Sequence, residues 1–111
     1  MPAFASREEL VEHIHAFGGD YIEARNSGQS VEFLAHVRVL RGDRLEALNM
    51  LGEGFEVLGD VQDKNGAPLV LTTSHYLVIR GKERVVIDPG IVPSGDGEGV
   101  NHHLAIVGQR D

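Results

Sequence analysis

With 111 residues, 41% of them hydrophobic and none of them tryptophan, the chain suits one domain with a core of Val, Leu, Ile and Ala. Its net charge of −7 argues against a nucleic-acid reader, which needs a basic face for phosphates, and against docking on an anionic membrane. The lack of cysteine excludes disulfides, thiolate metal sites and a cysteine nucleophile.

The opening MPAFASREEL has no basic region followed by an apolar segment, so a signal peptide is not expected. No apolar run approaches the ~20 residues of a membrane span. A soluble, cytoplasmic protein is the expectation. SREELVEHIHAF begins with Ser6 and carries Glu9 three residues on, a capping-box pattern. Leu10, Ile14 and Phe17 recur at helical spacing, which predicts a helix over 7–17 stopped by Gly18 and Gly19. DYIEAR adds a turn or two, and NSG closes the segment.

The stretch SVEFLAHVRVL, 30–40, satisfies two periods at once. Phe33, Val37 and Leu40 share a helical face, while Val31, Phe33, Ala35, Val37 and Val39 alternate as in a strand. Asn26, Ser27 and Gly28 precede it as start signals and favour helix. RGD, 41–43, is a turn, and a helix over 43–51 is capped by Asp43 and ended by Gly52.

Strands are then expected near 55–62, 69–80 and 84–88. Asn65-Gly66, inside KNGAP, is the strongest two-residue hairpin signal. VPSGDGEG, 92–99, reads as a mobile acidic loop, and VNHHLAIVGQ as a last short strand. Helices followed by strands predict a single α+β domain over 1–111, with N-terminal helices packed on an antiparallel sheet. The expected core is Leu10, Ile14, Phe17, Phe33, Val37, Leu40, Leu48, Val57, Leu71, Leu77, Ile79, Val85 and Ile87.

Ser30, His75 and Asp88 are the candidate catalytic residues, in that order. On the helical reading Ser30 sits at a helix start, where amides favour a developing anion. His75 opens one strand of a hairpin, and Asp88 closes the other. An aspartate placed there can hold the imidazole in one tautomer, leaving the histidine to move a proton. The plain alternative is a hairpin whose Asp88 serves Asp-Pro-Gly turn chemistry and whose Ser30 is an N-cap.

GQS followed by VEFLAHV, and then HYLVIRGKERVVIDPG, resembles the papain-like and transglutaminase-like cysteine hydrolases, over roughly residues 26–92. In that group the nucleophile starts a helix, a histidine starts a strand and an acid follows on the next strand. The resemblance implies amide-bond hydrolysis or acyl transfer by a protease, amidase or deamidase. Ser30 stands where the family has cysteine, which implies a poor nucleophile or an inactive site.

Two other functions stay open: a small acidic non-enzymatic binding or immunity-type module, and an NTF2-like ligand-binding α+β cone. No cofactor is expected. No metal is expected either, because His13 and His15 do not share a helical face and His102 and His103 point to opposite faces of a strand. Nucleic acid and membrane are not expected partners; a protein or small-molecule substrate is not specified by any motif.

Overall fold

The computed structural model describes residues 6–48, 52–92 and 102–109. In chain order the elements are α1 (Arg7–Ala16), β1 (Asp20–Asn26), β2 (Gln29–Val39), α2 (Gly42–Ala47), β3 (Gly54–Gly59), β4 (Tyr76–Ile79), β5 (Lys82–Asp88), β6 (Ile91–Val92) and β7 (His102–Gln109). Strands pair in the order β3-β2-β1-β4-β5-β7, and β7 pairs back on β3, so six antiparallel strands close into a barrel. β4 returns beside β1, which gives the β4-β1-β2-β3 order of a Greek key. The expected α+β class is therefore overturned: helices do not pack on an open sheet but decorate a closed barrel.

The correction comes from 20–40, expected to be helical and in fact the β1–β2 hairpin. Asn26 pairs with Gln29, and Ser27 and Gly28 have φ of +53° and +79°. Two consecutive positive φ values are what a type I′ hairpin needs, so NSG is a strand turn, not a helix start. The double periodicity of 30–40 also has its reason. Phe33 and Ala35 face the barrel interior, with Val31 and Val37 packed against them, whereas Leu34 on the opposite face is buried under α1. A strand covered on both sides carries apolar residues on both faces and mimics a helical pattern.

α1 is the expected helix. Ser6 caps it by accepting the Glu9 amide at 3.2 Å, and Gly18, at φ +82°, ends it. Leu10 and Ile14 pack on Leu34, with Leu58 beside them. Arg7 donates to the buried Asp60 carboxylate at 2.7 Å and pins the first turn of the helix to the end of β3. α2 covers only the first part of the expected 43–51 helix, and 49–51 lie outside the described residues. So do 93–99 of the expected acidic loop; Val92 belongs to β6.

Inside the barrel, Phe33 and Phe55 alternate with the small Ala24, Ala35 and Ala105. Gly59 is a close-approach glycine, because a Cβ there would lie 2.5 Å from the Phe33 ring. Where β3 starts, Arg84 turns inward. It lies over the Phe55 ring at 4.9 Å, donates to the Ile79 carbonyl and pairs with Glu53 at 2.9 Å. Where β3 ends, the connection 60–75 closes the barrel with buried Leu69 and Leu71. The fully buried His103 holds this plug through Nε2, 3.0 Å from the Leu69 carbonyl oxygen.

The long expected strand over 69–80 is shortened to 76–79, because Thr72 and Ser74 turn the chain: the Ser74 amide donates to Thr72 Oγ1 and the His75 amide to the Thr72 carbonyl. Asn65-Gly66 does sit in a turn, but it joins only the single bridge Gln62–Pro68. Asp-Pro-Gly kinks the chain between β5 and β6, both of which pair with β7. Gly90 has φ +51°, and a Cβ there would lie 2.1 Å from the Leu104 carbonyl oxygen.

Of the expected core, Phe17, Leu48 and Ile87 are exposed, and Val37 and Val85 are half-buried. Phe17 and Leu48 are helix C-caps, swung out of the packed face. The inner positions of β5 belong to Arg84 and Val86, and the register shifts between Val86 and Asp88, which leaves Ile87 outside.

Replacing buried Leu71 by Ala is expected to cost ~2–5 kcal/mol in chemical denaturation. The same change at exposed Ile87 should stay within about 1 kcal/mol.

Burial pushes the His103 imidazole below its ordinary value, against smaller upward pulls from the Leu69 and Pro89 carbonyls. The unfolded chain then takes up a proton that the folded one refuses. Stability should be fully present above pH ~6.5 and fall as the pH drops below it, by no more than about 1.4 kcal/mol per pH unit for one proton. Urea titrations between pH 7.5 and 5.5 should show a flatter dependence in His103→Gln.

Candidate functional site: a hollow beside the barrel plug

Ser30 lies on β2 opposite Arg25 of β1, on the outer face, since its neighbour Val31 packs against the core. Its hydroxyl donates to Glu23 Oε2 at 2.5 Å. The same carboxylate accepts Arg25 Nε at 2.7 Å, and Arg25 reaches on to Glu83 at 3.1 Å. The Arg25 guanidinium, followed by the Ser30 hydroxyl, holds the Glu23 carboxyl below its usual range. Ser30 is thus one rung of a polar ladder across β2, β1 and β5. Being in a strand, it has no helix N-terminus behind it to hold an oxyanion.

His75 sits just before β4 and joins the sheet through its carbonyl, which accepts the Val86 amide at 3.3 Å. Its Nδ1 accepts the Thr72 backbone amide at 3.0 Å, and Thr72 Oγ1 stands 3.1 Å away. A nitrogen that accepts an N–H carries no proton, so the neutral ring holds its proton on Nε2. Burial lowers the imidazole below its ordinary value, partly offset by the Thr72 backbone. The neutral ring therefore keeps its donor at Nε2.

Asp88 ends β5, and its Oδ1 accepts the Gly90 amide at 3.0 Å, an Asx-type turn. No hydrogen bond among the described residues joins Ser30, His75 and Asp88; each has a different partner.

Ser30 and His75 do meet around one hollow of about 390 Å³. Its rim is the hairpin turn, Asn26, Ser27 and Gln29, and its apolar wall is Val31, Leu69 and Val70. Asp88 is not among the residues that line it. The polar rim is the segment whose sequence predicts a helix start, and the contact of Thr72 with His75 is the part that the sequence reading does not supply. Its only signal was the Thr-x-x-His spacing of a side-chain-capped turn.

Such an arrangement can donate and accept hydrogen bonds over an apolar wall. His75 offers Ser30 no free basic nitrogen, because Nδ1 is engaged and Nε2 is protonated, and the Ser30 hydroxyl turns to Glu23 instead. Among the described residues no group of three or more His, Asp or Glu side chains is placed to hold a metal ion. No described helix is long and apolar enough to cross a membrane.

The closed barrel also conflicts with the papain-like expectation, in which the nucleophile begins a helix packed on a sheet. Comparison with protein-family models, with curated proteins and with solved structures gave no match for this chain.

Proposed function

We propose that this chain is a small non-enzymatic binding module whose ligand sits in the hollow between the β1–β2 turn and the barrel plug. The observation that carries this reading is the engagement of His75 Nδ1 by the Thr72 amide, which makes the ring a fixed hydrogen-bond donor and takes away its role as a base. The Ser30 proton is likewise directed at a carboxylate paired with arginine. Polar groups already oriented by backbone and ion-pair partners cost little ordering on binding. The ligand that suits them is small, with a carbonyl or carboxylate oxygen for the His75 Nε2–H and an apolar body for Val31, Leu69 and Val70. An NTF2-like cone would need a deep interior cavity, and here Phe33, Phe55, Leu71 and Leu77 fill the middle of the barrel.

Ser30→Cys tests the chemistry. The thiol should react with iodoacetamide below pH 7 no faster than a free thiol peptide, since no imidazolium faces it. Fast low-pH alkylation that disappears in a Ser30→Cys, His75→Ala double variant would restore the hydrolase.

Binding itself is read by amide shifts on titration with N-acetyl-leucine amide. Perturbations confined to 26–31 and 69–75, and lost in His75→Phe, are expected. A titration that moves amides elsewhere, or none, removes the hollow as the ligand site.

A further inference from the structure

A second hollow lies between the end of β2 and α2. It measures about 500 Å³, and three of its lining residues are Arg38, Arg41 and Arg44. Among the described lining residues Asp43 is the one carboxylate, so this place is positive on a chain of net charge −7.

Two of the arginines are held in position from below. Glu56 of β3, mostly shielded, accepts Arg38 Nη2 on one oxygen and Arg44 Nη2 on the other, the latter at 3.5 Å. Each guanidinium gives Nη2 to Glu56, and its Nε and Nη1 make no hydrogen bond with a described residue. The Arg41 carbonyl accepts the Leu45 amide at 2.9 Å, but its guanidinium makes no hydrogen bond or ion pair with any described residue. The contrast is Arg25, whose three nitrogens are all spent on Glu23 and Glu83.

Several guanidinium groups lining one hollow, each with N–H donors left over, suit a tetrahedral oxyanion, and a carboxylate that fixes two of them lowers the ordering cost. Arg38 and Glu56 also line an adjoining groove with Phe17, Leu58 and Leu104, where Phe17 is 61% exposed.

From this geometry we propose that the Arg38–Arg41–Arg44 hollow binds the phosphoryl group of a phosphate monoester, with the organic body of the ligand lying in the groove of Phe17, Leu58 and Leu104. Beside the three arginines stand Glu56 and Asp43, so the hollow keeps a positive balance, and the oxygens of a phosphoryl group can reach more of its donors than a flat carboxylate can. The groove supplies contact that inorganic phosphate cannot use.

Calorimetric titrations at pH 8 with phenyl phosphate, inorganic phosphate and benzoate test the site. Phenyl phosphate should bind saturably and more tightly than either of the others. Arg41→Gln and Arg44→Gln, both at exposed positions, should each weaken it tenfold or more, and Arg25→Gln should not. Phe17→Ser should bring phenyl phosphate down to the affinity of inorganic phosphate while leaving the latter unchanged. Binding that is indifferent to Arg41→Gln and Arg44→Gln, or benzoate binding as tightly as phenyl phosphate, would overturn the phosphoryl site. Equal affinities for phenyl and inorganic phosphate in the unmodified protein would overturn the placement of the organic body.

Discussion

The pairing of β3 with β7, from Gly54 against Gly108 to Gly59 against His103, is the contact on which the rest of the structure depends. Without it the sheet has two free edges, and Phe55, Val57, Ala105 and Val107 lose the cover of a closed wall. The partners are far apart in sequence, so loop closure must be met before the contact rewards it. Glycine at the end of β3 lets the wall approach the Phe33 ring, and the same level of the barrel receives His103. The closing strand therefore also brings in the side chain that holds the plug.

That plug links the core to the hollow. Leu69 is buried in the main hydrophobic cluster, offers its carbonyl to His103 and lines the hollow beside His75. A few residues on, Thr72 orients the His75 ring through its backbone amide. The floor of the hollow is thus rigid because it is core, and its donor is fixed because a backbone amide fixes it. Pre-organisation of this kind suits recognition, in which groups must be waiting in place. The unprotonated nitrogen of the ring, Nδ1, is already engaged by the Thr72 amide.

Charge on the outer surface is sorted by pairing. Glu23, Arg25 and Glu83 neutralise one another across three strands, and Glu32 takes Lys64. Around α2 the balance differs: one shielded carboxylate serves two arginines, and a third has none among the described residues. Exposed ion pairs add little stability, so their interest lies in which donors they leave unspent.

Much was legible in the sequence where the governing physics is local. Ser6 and Glu9 marked the start of α1, Gly18 and Gly19 its end, and Leu10 and Ile14 its buried face. The sequence marks strands near 55–62, 69–80 and 84–88, which the structure places at 54–59, 76–79 and 82–88, with the phase of β5 reversed because an arginine, not an isoleucine, points inward. Phe33, Leu40, Val57, Leu71, Leu77 and Ile79 were identified as core. For the candidate site, the sequence singled out Ser30 and His75, which do share a hollow, and grouped them with Asp88, which turns to Gly90.

Other features required the tertiary structure. The 30–40 segment satisfies a helical period only because α1 covers the outer face of β2, a fact of packing between elements that no local pattern contains. NSG is a hairpin turn because β1 and β2 have each other to pair with; alone, the same residues are as good at starting a helix. Barrel closure, the inward arginine and the proton on His75 Nε2 each depend on a partner distant in the chain or on a particular backbone bend. By itself, the sequence determined where α1 begins and ends, most strand positions and much of the core, because capping, turn geometry and side-chain alternation act over a few residues. The tertiary structure decided the fold class and the chemistry of the hollow, because strand pairing and hydrogen-bond direction are settled only when distant segments meet.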